Sequence, residues 1–174
     1  TDEEIIAASG IELGDNLYGL NKVRIDQNIR TSLPYIGNLT IDRRLPNTIA
    51  IAVTEWEAVA KIAVPDPNEA IAIQKELAEQ DPKGEPPPLA REAWLISVKG
   101  KLLEPAPSDS KAITVTGLTA IAPEAGQMLE TAESEETRLA ALTGLLEALV
   151  QEEALGQVSS IQLGKTQLTL RYLD

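Results

Sequence analysis

Hydrophobic positions recur at helical spacing twice near the start of the chain. Thr1 and Glu4 fit a capping box that opens a short helix, and Gly10 ends that helix. Asn21 can cap a second helix, which Pro34 stops. The apolar residues of this second helix fall at near-helical spacing while its charged residues face water: Val23, Ile25, Ile29 and Leu33.

The hydrophobic pattern then changes to a period of two, which is typical of strands. Leu39 and Ile41 alternate with polar residues, residues 45–48 form a turn, and Ile49 to Val53 alternate again. This pattern predicts a β-hairpin, and the stretch 58–64 can continue its sheet. Because a two-stranded hairpin is marginal alone, we expect a third strand before Thr1, which would complete a βααββ unit.

The rest of the chain predicts mostly strands with one long helix. Prolines crowd the stretch of about 65–91, which we interpret as an insertion containing a helix over 68–80. Ser134 is expected to cap the long helix, whose leucines form one apolar stripe. Strands are expected at 94–98, 101–103, 112–116, 158–163 and 167–173. The prediction is an α+β chain with one domain over 1–57, its first strand trimmed, and a mostly β domain over 58–174.

Composition narrows the classes of function. The 174 residues include 15 Lys and Arg against 27 Asp and Glu, and the net charge of −12 repels phosphate backbones, so we expect no nucleic acid partner. His and Cys are absent, which removes the usual zinc ligands, the thiol nucleophile and the Ser-His triad. We therefore predict no catalytic residues, no metal and no cofactor.

Several segments of the chain carry a resemblance to one known family, and two of them are the run from Arg44 to Glu55 and the run from Gly14 to Leu17. The first is similar to the hairpin of the FtsQ/DivIB family of bacterial cell-division proteins, and the second resembles part of that family's first-helix segment. Trp94 to Ile96, Gly100 to Leu103 and the leucine-rich helix before Ile161 are similar to its β domain. The resemblance covers nearly the whole chain except the proline-rich middle.

This resemblance implies both an architecture and a role. It implies a POTRA-like domain followed by a β domain that is truncated at its C-terminal end. The implied function is a non-catalytic scaffold of the division septum, which binds divisome proteins of the FtsL and FtsB/DivIC type. The chain would be the extracytoplasmic part of a single-pass cell-membrane protein, held to the membrane only by an anchor outside this sequence.

Two groups of residues are candidates for partner binding. By resemblance, the main partner contact lies near the end of the β domain, where an edge strand can accept a strand from another protein. That strand comprises Leu168, Thr169, Leu170, Arg171 and Tyr172. Arg43 and Arg44, beside Pro46, can bind a partner carboxylate, or else form an exposed strand end paired with local acids.

Two other functions stay open at this stage. The chain can be a POTRA module of a protein-translocation system, or a carboxylate-based hydrolase. The hydrolase requires two acids in one cleft, about 5 to 10 Å apart. Glu133, Glu135 and Glu136 are interpreted as acids at a helix start rather than as ligands of a hard cation.

Overall fold

The computed structural model describes residues 1–173 and divides into two compact units. Unit 1 comprises Thr1–Trp56, and unit 2 begins at Glu57. Helices and strands are mixed in both units, so the predicted α+β class is confirmed. Within residues 1–173, no helix is both long enough and apolar enough to cross a bilayer.

Unit 1 consists of two helices and a hairpin, as the pattern predicts. The Thr1 hydroxyl accepts the amide of Glu4 in a capping box, and the Asn21 carboxamide accepts the amides of Val23 and Arg24, so both predicted caps are confirmed. These caps satisfy backbone donors that a helix leaves free at its start. The elements are α1 (Asp2–Ser9), α2 (Lys22–Ser32), β1 (Ile36–Arg44) and β2 (Thr48–Glu55).

The core of unit 1 consists of isoleucines. Both helices and β1 contribute side chains that are at most 8% exposed: Ile5, Ile25, Ile29, Ile36 and Ile41. The hairpin pairs Ile36 with Glu55 at one end and Arg44 with Thr48 at the other. A groove of about 270 Å³ between α1 and β2 is lined by Ile5, Ile49, Ile51 and other residues. The third strand expected before Thr1 would lie outside the described residues and stays a prediction.

Unit 2 is a mixed six-stranded sheet in the order β5-β4-β3-β6-β7-β8. β3, β6 and β7 run parallel, and the remaining neighbours are antiparallel. The strands are β3 (Ala60–Ile62), β4 (Trp94–Ile96), β5 (Leu102–Pro105), β6 (Ile113–Thr116), β7 (Val158–Leu163) and β8 (Leu168–Tyr172). The expectation that 58–64 continues the hairpin sheet is wrong, because Ala60 pairs with Ile96 and Ile113 instead.

Two helices pack in unit 2. α4 (Glu136–Gln151) covers the sheet, with Leu142 and Leu146 fully buried in the same cluster as Val115 and Ile161. This confirms the leucine stripe. α3 (Pro67–Gln80) confirms the helix predicted in the proline-rich stretch, and it buries Ile73 in a separate small cluster with Ile121 and Ala132.

The predicted cap of α4 is wrong. A 3-10 turn over Glu133–Glu135 precedes α4, and Glu135 occupies the N-cap position without a side-chain capping bond. Ser134 lies inside that turn, where its hydroxyl donates to Glu76 Oε2 of α3 at 2.6 Å. A carboxylate from a distant part of the sequence therefore binds the hydroxyl that local pattern assigns to the helix end.

Two glycines of unit 2 differ in whether the surrounding structure leaves room for a side chain, and substituting them tests this difference. Gly117 has φ +91°, and a Cβ there would overlap the carbonyl of Leu163, whereas a Cβ on Gly144 in α4 would meet nothing. We expect Gly117→Ala to lower the free energy of unfolding by about 2–4 kcal/mol. Gly144→Ala should raise it by about 0.5–1 kcal/mol. Urea denaturation followed by Trp94 fluorescence, in a Trp56→Phe background, measures both.

Destabilisation of similar size by the two substitutions would contradict this account, because it would mean that the steric environment of the two glycines does not differ.

Candidate partner-binding site

The two edge strands of the unit 2 sheet, β5 and β8, differ in whether another segment of the chain hydrogen-bonds to them. At the β5 edge, the Leu102 amide donates to the carbonyl of Gln127, and the Gly126 amide donates to the carbonyl of Leu102, both at 2.8 Å. The segment around 126–129 therefore covers the start of β5 at Leu102. At the other edge, β8 is the last strand within the described part of the chain. An edge strand of this kind presents a row of main-chain donors and acceptors to solvent.

The hairpin register shows which main-chain groups of β8 point outwards. The Gly164 amide donates to the carbonyl of Gln167 at 2.8 Å beside the turn, so this pair is hydrogen-bonded. Bonded and non-bonded pairs alternate in an antiparallel ladder. Thr169 and Arg171, paired with Gln162 and Ser160, therefore direct their amides and carbonyls at β7. The main-chain groups of the alternate residues point away from β7: Leu168, Leu170 and Tyr172.

Contacts at the far end of β8 agree with this assignment. The Ser159 hydroxyl donates to the carbonyl of Arg171 at 3.1 Å, and the Leu173 amide donates to the carbonyl of Gln157 at 2.8 Å. Arg171 and Leu173 thus face β7, although the register shifts between Val158 and Ser160. The outward row of donors and acceptors therefore extends along the whole of β8.

The side chains of β8 give its two faces different chemistry. Leu170 packs partly against the core beneath α4, and Leu168 and Tyr172 are 40% and 60% exposed. Thr169 and Arg171 are exposed, and they alternate with these three residues. One face of the edge is thus apolar and next to the core, while the other is polar and faces solvent.

Arg43 and Arg44 lie in unit 1, at the end of β1. The Arg43 guanidinium donates to the carbonyl of Leu20, which precedes α2. Within residues 1–173, neither arginine lies in an ion pair, so the pairing with local acids that was one of the two predictions is not observed. Their role in binding a partner carboxylate stays a prediction.

A crevice of about 1020 Å³ opens where the parallel strands β3, β6 and β7 end. Four carboxylates line it, but three are already engaged in hydrogen bonds. Asp66 caps α3, Glu76 accepts both the amide and the hydroxyl of Ser134, and Glu135 accepts from Thr119. Only Glu69 has no hydrogen bond of its own carboxylate within the described chain. Within residues 1–173, no three acidic side chains are grouped so that they could hold a metal ion.

Glu135 is the buried charge of this crevice, with 3% of its surface exposed. It accepts the Thr119 amide at 2.7 Å and lies 3.6 Å from Arg138, which in turn donates to the carbonyl of Gly117. Burial raises the pKa of the Glu135 carboxyl, and the bonds from Thr119 and the charge of Arg138 oppose that rise. The sequence pattern did not predict this arrangement. The three-residue spacing of Glu135 and Arg138, at which helical side chains are neighbours, was the signal that could have indicated the ion pair.

Comparison with known proteins identifies the kind of domain that unit 1 forms. Residues 1–56 match the family model of the FtsQ-type POTRA domain. The DivIB cell-division protein of Geobacillus kaustophilus is 37% identical over 62 residues, which are 36% of this chain and 23% of that protein. The FtsQ protein of Corynebacterium glutamicum is 33% identical over 69 residues, 40% of this chain and 31% of that protein.

A DivIB protein of Clostridium acetobutylicum is similar as well, with 42% identity over 57 residues, or 33% of this chain and 22% of that protein. The matched stretch thus spans less than a third of each of these relatives. Unit 1 is a POTRA domain of the FtsQ type. The family model and these relatives confirm the resemblance to FtsQ/DivIB cell-division proteins noted from the sequence, and the family model places it in residues 1–56.

The raised pKa of Glu135 predicts how stability depends on pH. Its folded-state pKa lies above the ordinary value of 4.5, so the folded protein binds more protons than the unfolded chain between those two values. The contribution of Glu135 to the free energy of unfolding is therefore lost as pH rises from about 4.5 through the folded pKa. Glu135→Gln lacks this titration, so its stability relative to the unsubstituted protein should increase over that window.

Urea denaturation at several pH values between about 4.5 and 7.5 measures this difference. Glu136→Gln, at the exposed neighbouring position, is the matched control and should show a nearly constant difference. A relative stability of Glu135→Gln that decreases with pH would contradict the assigned direction of the pKa shift.

Proposed function

We propose that this cell-division protein is a non-catalytic scaffold of the division septum, in which unit 2 binds another divisome protein by strand addition to β8. The observation that carries the proposal is the row of outward main-chain groups at Leu168, Leu170 and Tyr172. At the opposite edge, the start of β5 is covered by the chain itself. An exposed and partly apolar strand edge is a place where another chain can pair.

Strand addition separates affinity from selectivity. Main-chain hydrogen bonds to β8 supply binding that depends little on the partner's sequence, and the alternate side chains determine the register. An added strand would place one set of its side chains beside Leu168, Leu170 and Tyr172. The other set would lie beside Thr169 and Arg171. This arrangement favours a partner strand with alternating apolar and polar residues.

The proposed partners are divisome proteins of the FtsL and FtsB/DivIC type, and the proposed location is the extracytoplasmic side of the cell membrane. The similarity to FtsQ/DivIB cell-division proteins supports both proposals. In this proposal the parent protein is single-pass, and its anchor lies outside this sequence. The family model matches residues 1–56, so the partner of unit 2 rests on the geometry of β8.

The absence of catalysis is also part of the proposal. The crevice at the ends of β3, β6 and β7 contains the converging carboxylates that a hydrolase would need, yet Asp66, Glu76 and Glu135 hold parts of the fold together. A carboxylate mechanism requires two acids that are available to substrate. With Glu69 alone unengaged, the crevice favours a structural role over acid–base chemistry.

A substitution that removes one outward amide tests strand addition. Leu168 begins β8, where proline is tolerated because its missing amide faces away from β7. We expect Leu168→Pro to weaken binding of the soluble extracytoplasmic segment of the FtsB/DivIC-type protein from the same organism by about tenfold, the effect of one lost hydrogen bond. Leu168→Thr keeps the amide and should bind within about threefold of the unsubstituted chain.

Isothermal titration calorimetry measures these affinities, and circular dichroism checks that each variant is folded. Equal weakening by the two substitutions would mean that the side chain, not the main chain, carries the contact. Unchanged affinity in Leu168→Pro would place the partner elsewhere on the molecule.

A further inference from the structure

The edge strand β8 is complementary to a second copy of itself. It has five residues, and Leu170 lies at its centre. The main-chain groups of Leu168, Leu170 and Tyr172 point away from β7, as the register of the hairpin requires. When two copies of β8 lie antiparallel with their Leu170 residues opposite each other, Leu168 of each copy lies opposite Tyr172 of the other. Every outward residue therefore faces another outward residue.

This pairing satisfies the outward main-chain groups of both copies. Two facing residues of a hydrogen-bonded pair in an antiparallel ladder exchange both of their N–H···O bonds. The three facing pairs thus use the amide and the carbonyl of every outward residue. Main-chain groups at a sheet edge otherwise depend on water for their hydrogen bonds, which makes an open edge a template for another strand. The sheet of one copy continues into the sheet of the other across a two-fold axis.

The side chains match across the same axis. Leu170 packs partly against the core beneath α4, and Leu168 and Tyr172 are 40% and 60% exposed. The axis is perpendicular to the sheet, so the apolar faces of both copies lie on the same side. Leu168 then lies beside Tyr172 of the second copy, and pairs of aromatic and aliphatic side chains stabilise antiparallel strands. On the polar face, Thr169 lies opposite Arg171, so no charge directly faces a like charge.

Other registers of the same two strands are less favourable. With Arg171 at the axis, the guanidinium groups of both copies face each other, and like charges directly opposite destabilise a sheet. With Thr169 at the axis, Tyr172 faces Thr166, which precedes β8. The outward groups of Tyr172 then lack a strand partner. The register centred on Leu170 pairs all three outward residues within β8.

We propose that a second copy of this chain pairs with β8 in this register and so occupies the edge that is proposed to bind the divisome partner. The inference rests on the proposed function, because both use the same outward row of main-chain groups, and it adds a form of regulation. β8 is available to the partner in the monomer and is covered in the dimer.

The expected dimer is weak. Five residues on each strand bury well under the roughly 1,200 Å² at which stable interfaces begin. The net charge of −12 on each copy opposes association, and so do Lys165 and Arg171, the charged residues within 158–173. Because salt screens both, we expect a dissociation constant on the order of 0.1 mM at about 300 mM salt and a weaker dimer at about 50 mM. At protein concentrations well below that constant, β8 is free, and its amide exchange and partner binding are those of the monomer.

Single cysteine substitutions test the register directly, because the chain contains no Cys. In the proposed dimer the two Leu170 residues face each other with their Cα atoms about 5.5 Å apart, which suits a disulfide. The two Leu168 residues are roughly 14 Å apart along the strands. Under mild oxidation, Leu170→Cys should therefore form a disulfide-linked dimer at least about tenfold faster than Leu168→Cys. Random collision predicts the opposite order, because Leu168 is more exposed than Leu170.

Further measurements test the same register. An equal mixture of Leu168→Cys and Tyr172→Cys should form the mixed dimer faster than either variant links with itself. Leu168→Pro removes one outward amide from each copy, so in this background Leu170→Cys should crosslink on the order of a hundredfold more slowly, or about tenfold for each lost hydrogen bond. Sedimentation equilibrium of the unsubstituted chain up to about 1 mM should show a dimer that strengthens with salt. Circular dichroism checks that each variant is folded.

Two results would overturn the proposal. The first is crosslinking of Leu168→Cys at the rate of Leu170→Cys or faster. The second is an unsubstituted chain that stays monomeric up to about 1 mM at about 300 mM salt. Neither result affects calorimetric binding of the FtsB/DivIC-type segment, on which the proposed function depends. A dimer in this register that the segment does not displace would uphold the pairing between copies and contradict addition of the partner to β8.

Discussion

The aliphatic seam between α4 and the unit 2 sheet is the interaction on which the arrangement of that unit depends. Leu142, Leu146 and Leu149 bury one stripe of the helix against a sheet that contains Val115 and Ile161. Each buried side chain contributes about 1.5–3 kcal/mol relative to an exposed one, and the chain has no Phe to replace them. The seam holds α4 against the sheet, and Leu170 of the edge strand β8 packs against the same cluster.

Backbone hydrogen bonding explains why the two edges of the unit 2 sheet differ. Main-chain donors and acceptors require partners, from the protein or from water. At β5 the chain supplies them itself through Gly126 and Gln127, whereas those of β8 at Leu168, Leu170 and Tyr172 face outwards.

The features that could be predicted from sequence are the local ones. Helix caps and apolar stripes depend on residues only a few positions apart. The structure confirms the predicted caps at Thr1 and Asn21 and the predicted leucine stripe of α4. The parallel pairing of β3, β6 and β7 joins segments about 50 residues apart, and periodicity contains no information about which strands become neighbours. The same limit explains why two long-range contacts could not be predicted. One is the hydrogen bond between Ser134 and Glu76 of α3, and the other is the buried contact between Glu135 and Thr119. The edge position of β8 could be anticipated only through resemblance to a family.

Amide hydrogen exchange along β8, resolved by NMR, tests the central claim most directly. In the free protein the amides of Thr169 and Arg171 should be protected, because they face β7, while those of Leu168, Leu170 and Tyr172 should exchange rapidly. With a saturating FtsB/DivIC-type segment, the account predicts that the amides of Leu168, Leu170 and Tyr172 become protected too, so that exchange no longer alternates along β8. Rapid exchange at all three in the presence of a bound partner would contradict strand addition at β8.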